Sequence, residues 1–444
     1  MFERSIMRSL LRWKESDNRK PLVLRGARQT GKTTVVDMLG KEYANFIPLN
    51  LELERHRSIF QLDMPIRDLI DLLFARVGQV KRDGSTLIFI DEIQNSPQAM
   101  SKLRYFKEEC PDIHVIAAGS LLENIVDVES SFPVGRVDFM ALRPCSFAEF
   151  AQAIGKGHLL TFACSPELSA TAHDELTALF NQYSIVGGMP EAVQRFAATR
   201  DVLAFDDVYE SLLQGYKDDV AKYVKGGKLS DVVRFLIDRS WNYAGSIITL
   251  SNFSNSNYRS REVGESFRLL QKAMLLELVY PTTATMVPAM QEEKRMPKLL
   301  MLDTGLVNYK AGVRSELIGA TDIMDVWRGR IAEQIVGQEL LSLSDKVGAH
   351  RDFWVKGKDS AEVDFLYTYK SMLIPIEVKN GHNSHLRSLH SFIDKAPVNV
   401  GIRIWSQPFS VNDVVTAIGQ KPFRLINLPF YMIHNLEAIL QRYV

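Results

Sequence analysis

Short apolar runs separated by amphipathic stretches organise the first third of the chain. Leu22–Arg25, Phe46–Asn50, Thr86–Ile90 and His114–Ala118 have the length and composition of buried strands. Between them, segments such as Lys32–Tyr43 and Gln98–Glu109 carry helical patterns. Strands alternating with helices predict a parallel α/β sheet. From 150 to 240 the spacing is mostly helical, as in Glu175–Ser184 and Ala204–Tyr223, with a break at Gly187-Gly188-Met189-Pro190. Residues 225–310 pattern as short helices followed by two apolar runs, Leu275–Tyr280 and Lys298–Leu302, around a polar stretch. That order predicts a long-armed hairpin of the winged-helix type. The last part begins with a helix, Trp327–Leu343, and turns into strands at Asp352–Val355, Ala361–Tyr367, Met372–Lys379 and Val400–Trp405.

With 444 residues, and roughly 100–200 residues per domain, two to four domains are expected. Lys and Arg total 53 and Asp and Glu total 53, so any basic surface must be local rather than global. The three cysteines, Cys110, Cys145 and Cys164, form no CxxC pair, which argues against a disulfide framework and a cysteine zinc site and fits a reducing compartment. The opening MFERSIMRSLLRWKESDNRK reads as an amphipathic helix with charges throughout, and no stretch approaches ~18 uncharged apolar residues. The expectation is a soluble cytoplasmic protein with no membrane partner.

Residues 22–34 read LVLRGARQTGKTT: a strand, the pattern GxxxxGKT, then a helix. Gly26 and Gly31 let the backbone fold tightly, so that successive N–H groups along Gly26, Ala27, Arg28, Gln29, Thr30, Gly31, Lys32, Thr33 and Thr34 face a β-phosphate. Lys32 supplies charge to the β- and γ-phosphates and Thr33 a hydroxyl to Mg²⁺. The positive end of the following helix dipole adds to the attraction. ATP and Mg²⁺ are the expected cofactors.

Residues 86–92 read TLIFIDE, four apolar residues and then two acids. Asp91, at the end of an expected neighbouring strand, would hold Mg²⁺, and Glu92 would polarise the attacking water. The next strand, HVIAAGS, ends at Ser120, which either contacts the γ-phosphate or caps an ordinary strand end. Arg136, in a Gly-Arg turn, is either an arginine finger reaching a second copy of the chain or a surface arginine paired with an acid.

The segments GARQTGKTT, LIFIDE, AAGS, FPVGRV, RPCSFAEF and YSIVGGMPEAV resemble the AAA-type ATPase module common in archaea and bacteria. That module is usually followed by a C-terminal domain of unknown function, which KLLMLDTGL at 298–306 and AEVDFLY…IPIEVKNG resemble. The resemblance covers nearly the whole chain. It implies Lys32 and Thr33 as nucleotide contacts, Asp91 and Glu92 as metal and water residues, and Arg136 as a finger. The usual Pro-Leu-Ser-Phe turn reads Pro144-Cys145-Ser146-Phe147 here, a change of tolerable volume.

Residues 361–380, AEVDFLYTYKSMLIPIEVKN, read as a strand, a turn and a second strand. Side chains alternate along a strand, so Glu377 and Lys379 share a face, with Asp364 on the partner strand. An Asp facing Glu-x-Lys is the arrangement of PD-(D/E)XK-type nucleases, and the resemblance supports such a fold. Asp364 and Glu377, with Glu333 from the preceding helix, would hold Mg²⁺ or Mn²⁺, and Lys379 would orient the bound water. A salt bridge on an exposed sheet face satisfies the same residues, and superfamily members exist that keep the fold without the activity. His382 and His385 follow and read as solvent-exposed.

Between 217 and 310 there are 14 basic and 10 acidic residues. A helix-turn-helix is expected over Thr249–Leu276, with Arg259, Arg261, Arg268 and Lys272 on or near its second helix, set for DNA phosphates or else only packing the flanking domains. Leu302-Asp303-Thr304-Gly305-Leu306 reads as a turn. The resulting division is 1–150, a P-loop AAA-type ATPase domain; 151–224, a helical lid; 225–310, a winged-helix domain; and 311–444, an α/β restriction-endonuclease-like domain. The expected function is an ATP-binding and ATP-hydrolysing switch acting on nucleic acid, with metal-dependent cleavage. The alternative is an ATP-dependent switch whose degenerate nuclease fold binds a protein partner.

Overall fold

The computed structural model describes the chain apart from residues 1, 83, 120–134, 163–168, 224–226, 313–329, 358–360 and 380–384. It divides into two units, one of residues 3–143 with 344–349 and one of 144–343 with 350–444, plus the first two residues.

The first unit is built on a parallel sheet. Its strands are β1 (Leu22–Arg25), β2 (Asn45–Asn50), β3 (Thr86–Asp91), β4 (Ile113–Gly119) and β5 (Asp138–Ala141), in the order β2-β3-β4-β1-β5. Its helices are α1 (Met7–Glu15), α2 (Lys32–Gly40), α3 (Glu54–Arg57), α4 (Ile66–Val77) and α5 (Pro97–Glu109). Every residue of β3 is buried because both faces of the sheet are covered. Leu87 and Phe89 join the layer of α1 and α2, with Val35, Val36 and Leu39, while Ile88 and Ile90 join that of α4 and α5, with Leu69, Leu73 and Leu103. Each such side chain contributes about 1.5–3 kcal/mol on burial. The strands bearing the two motifs are not neighbours, contrary to expectation: β4 lies between β1 and β3. Helix α4 and strand β5 stand beyond the expected elements. The edge of β5 is tied by a distant segment, with Ala141 N donating to Asp345 O at 2.7 Å.

The second unit begins with helices α6 (Phe147–Ala153), α7 (Leu159–Phe162), α8 (Ala170–Val186), α9 (Pro190–Thr199) and α10 (Asp206–Tyr223). Helices α11 (Lys228–Arg239) and α12 (Ser260–Lys272) then pack together beside a three-stranded antiparallel sheet, β6 (Ser246–Ile247), β9 (Lys298–Met301) and β7 (Leu276–Val279). The helix-turn-helix expected over 249–276 is corrected here. Only α12 is an α-helix in that span, preceded by a 3₁₀ turn at Phe253–Asn255, and its helical partner is the earlier α11.

The expected turn at 302–306 is also corrected. Asp303 caps a helix, α13 (Thr304–Ala311), accepting from Leu306 N at 3.0 Å, and its other oxygen accepts from Gly188 N at 2.5 Å. The break at 187–190 and the LDTGL motif are two sides of one contact. Gly188 lies so close to Cys145 that a Cβ would fall 2.9 Å from the Cys145 amide nitrogen and closer still to its carbonyl oxygen. Glycine permits that approach.

Helix α14 (Arg330–Ser342) precedes a seven-stranded mixed sheet ordered β14-β15-β13-β12-β11-β10-β8. Its members are β8 (Pro281–Thr282), β10 (Asp352–Val355), β11 (Glu362–Tyr369), β12 (Met372–Val378), β13 (Val400–Trp405), β14 (Ser410–Val415) and β15 (Pro422–Pro429). Helices α15 (Arg387–Lys395) and α16 (Leu436–Tyr443) complete the chain. β11 and β12 form an antiparallel hairpin, and β13 runs parallel to β12. Among the described residues no helix is long and apolar enough to cross a membrane.

Candidate functional site

Strand β1 delivers the chain to a loop whose next helix, α2, starts at Lys32. Gly31, at φ 93°, turns the chain into that helix, and Gln29, at φ 61°, is left-handed as well. A Cβ on Gly26 would lie 2.5 Å from Leu142 O and 2.9 Å from Thr30 Oγ1, so the loop closes only around glycine. Thr30 Oγ1 donates to Ala27 O at 2.9 Å, and Arg4 Nη1 donates to Thr30 O at 3.0 Å. Arg4 comes from the segment before α1, and no sequence pattern distinguishes it from a surface arginine. Lys32 is buried, its Nζ donating to Gly26 O at 2.9 Å and Ala27 O at 3.0 Å.

The expected metal residues meet. Thr33 Oγ1 donates to Asp91 Oδ2 at 2.7 Å, although their strands stand two places apart. Both β1 and β3 are parallel, so their C-terminal ends open on the same edge of the sheet. Glu92 follows in a left-handed conformation, φ 53°, and its backbone N–H donates to Asp91 Oδ1 at 3.0 Å. A non-glycine residue held there stores strain of about 1–3 kcal/mol. Burial pushes the Glu92 carboxyl above its ordinary range, assisted by Asp91 and opposed by a hydrogen bond from Gln94. Gln94 holds Glu92 in place and was not singled out from the sequence. Arg136 is exposed and pairs with Glu108 at 2.9 Å. Ser120 lies outside the described residues.

A second set of groups converges in the C-terminal sheet. Asp364 on β11 and Glu377 on β12 lie one step beyond the paired residues Phe365 and Ile376. Asp364 Oδ2 accepts from Val378 N at 2.7 Å, and Lys379 Nζ bonds Glu377 Oε1 at 2.6 Å. Glu377 is 4% exposed, and its Oε2 is buried without a hydrogen-bond partner among the described residues. Burial raises the pKa of Asp364, and Glu333 and Glu377 add to the rise; burial raises Glu377 too, against the pull of Lys379.

Glu333 shares a group with Asp364 and with Glu362, one carboxylate oxygen of each lying within 4.8 Å of the others. Its charge also acts on Glu377. Lys298 of β9 enters this group, with Nζ 2.7 Å from Glu333 Oε2 and 2.8 Å from Glu362 Oε1. Glu362 and Lys298 were both missed. Glu362 precedes Asp364 by two and shares its strand face, a readable signal; Lys298 arrives from another sheet and carries none. Burial pulls the Lys298 ammonium down, but Glu333, Glu362 and Asp364 outweigh it and hold its pKa above the usual lysine range. His385 is exposed, and His382 lies outside the described residues. Arg261 and Arg268 of α12 are exposed, Arg259 sits at its N-cap, and Lys272 is half-buried.

Residues 18–151 match a family described as an AAA domain. Residues 177–317 match a Domain of unknown function (DUF8612), and 328–422 another, DUF4143. No curated protein matches the chain. Among solved structures, a Walker-type ATPase of Pyrococcus abyssi is similar at 13% identity and TM-score 0.42, covering 70% of this chain and 96% of that one. A signal-transduction ATPase with numerous domains and a tetratricopeptide repeat sensor, from Pyrococcus horikoshii, is similar at 13% identity and TM-score 0.28, covering 77% of this chain and 48% of that one. The match of residues 18–151 to the AAA-domain family supports ATP binding, and the matches that follow it are to two families of unknown function.

Proposed function

We propose that the chain binds ATP with Mg²⁺ at the 26–34 loop and hydrolyses it, and that this cycle switches a C-terminal nuclease-like module acting on nucleic acid. The observation that carries the ATPase reading is the Thr33–Asp91 hydrogen bond, which joins the helix start to the acid ending β3. Thr33 and Asp91, a hydroxyl and a carboxylate at one point beside loop amides and a helix N-terminus, would hold a hard divalent cation that supplies positive charge next to the phosphates. Lys32 then exchanges the carbonyls of Gly26 and Ala27 for phosphate oxygens. Glu92 orients the attacking water, and its raised pKa suits a group that takes up a proton.

The nuclease-like reading is supported by the hairpin carboxylates Asp364 and Glu377 with Lys379, and by the unpartnered Glu377 Oε2, which a divalent ion would satisfy. When bound, that ion supplies charge stabilisation and an acidified water. Arg261 and Arg268 offer exposed charge for phosphates. The second reading, a degenerate fold that docks a protein partner, is favoured by Lys298, which places an ammonium among the carboxylates.

The test has two arms. Lys32→Ala should abolish ATP binding in calorimetry with Mg²⁺, and Glu92→Gln should bind ATP while losing about 10²-fold or more in turnover. Normal hydrolysis by Glu92→Gln refutes its assigned role. Plasmid incubated with Mg²⁺ or Mn²⁺ should be cut by the parent and not by Asp364→Ala; equal background cleavage leaves the docking reading.

A further inference from the structure

Lys298 is a lysine that cannot leave. It is 1% exposed, and β9 holds its backbone between β6 and β7. The rings of Phe353 and Phe365 lie 4.9 and 5.5 Å from the ammonium, closing the sides of its seat. The ammonium donates to Glu333 Oε2 and, at 3.4 Å, to the main-chain oxygen of Asp364, and it forms an ion pair with Glu362 Oε1 at 2.8 Å. A divalent ion seeks the same thing this ammonium has found, which is several hard oxygens around one positive centre. The two exclude one another by size and by repulsion in a poorly solvated place.

A second observation points to a ligand beside it. Glu377 Oε2 is buried with no hydrogen-bond partner among the described residues, in a residue that is 4% exposed. Four carboxylates, Glu333, Glu362, Asp364 and Glu377, face two ammonium groups, Lys298 and Lys379. With all six ionised, two negative charges stay in excess, which one divalent ion neutralises. A second divalent ion would leave two positive charges in excess with Lys298 in place and only one without it.

We propose that Lys298 is a built-in cation: its ammonium holds, among Glu333, Glu362 and Asp364, a position that a divalent ion would otherwise occupy. The cluster therefore takes one divalent ion, beside Asp364 and Glu377, instead of a pair. The single ion rests on the nuclease-like reading; the place of Lys298 does not.

The experiment counts Mn²⁺ by electron paramagnetic resonance on the full chain without nucleotide, in an Asp91→Asn background that silences the ATPase metal site. Lys298→Met should bind one Mn²⁺ more per chain than its parent, and adding Glu333→Gln should remove that extra ion. An unchanged count overturns the proposal. A parent that binds none, with a variant that binds one, supports the role of Lys298 and refutes the single-ion site. Should Lys298→Met not fold alone, circular dichroism decides: millimolar Mn²⁺ should restore folding, and a chain unfolded with and without Mn²⁺ overturns the proposal.

Discussion

Glu339 of α14 is a carboxyl almost without water. It is 1% exposed and accepts from Tyr183 OH at 2.7 Å and from Phe147 N at 3.0 Å. Burial pushes its pKa up to about 7 from 4.5, more than those two donors lower it. Asp303 nearby is pushed up to about 6 by the same cause. A folded-state pKa above the unfolded one means stability that is complete below pH 4.5 and lost as pH rises through about 7. At about 1.4 kcal/mol per pH unit between 4.5 and about 7, the loss attributable to Glu339 is on the order of 3–4 kcal/mol at pH 8. Glu339→Gln keeps the acceptor oxygen and cannot ionise. In denaturant titrations it should be more stable than the parent by that amount at pH 8 and match it within ~0.5 kcal/mol at pH 4. A parent and variant that differ equally at both pH values would assign the effect to packing instead.

At the scale of elements, two glycines separate close approach from helix propensity. Gly188 joins the α8–α9 break to Asp303 and also accepts, through its carbonyl, from Cys145 N at 2.7 Å. Alanine there drives a methyl group into main-chain atoms of Cys145 that cannot move without breaking this bond. Gly264 lies inside α12, and a Cβ there meets only Leu250 Cδ1 at 3.5 Å, an ordinary contact. Gly188→Ala should therefore cost about 3 kcal/mol or more. Gly264→Ala should add about 0.5–1 kcal/mol of stability, because it removes helix-interior glycine. Urea midpoints of the full chain at one pH check both signs. Similar small changes at the two sites would mean the Gly188 contact yields easily.

At the scale of the whole molecule, Arg136 decides whether one chain suffices. Its pair with Glu108 is exposed on both sides, 58% and 43%, and such surface pairs contribute about 0–1 kcal/mol. The arginine can leave it at little cost. If it reaches a neighbouring copy's γ-phosphate, Arg136→Ala should lose about 10³-fold in turnover while still binding ATP. Mixing Arg136→Ala chains with Lys32→Ala chains should then recover part of the rate, since each supplies what the other lacks. Unimpaired turnover by Arg136→Ala alone would leave the pair with Glu108 as its whole role.

Local chemistry was enough for many of the elements, though α4, β5 and α13 escaped it. The ends of β1, β10 and β13 coincide with their apolar runs, and the 26–34 loop is legible because few residue types permit that backbone. Glu377 and Lys379 could be paired from strand periodicity alone. Sequence spacing says nothing of strand order, so the insertion of β4 between β1 and β3 was hidden, as was the tie from 345 to β5. That Asp303 also accepts from Gly188 was hidden, because Gly188 lies 115 positions away. Lys298 read as part of an apolar run for the same reason: the carboxylates that make a buried ammonium tolerable are on α14 and β11. The sequence by itself determined where β1, β10 and β13 run and where the glycine-bounded loop at 26–34 turns. Only tertiary structure decided which charges share a low-dielectric space, because that depends on packing between elements far apart in the chain.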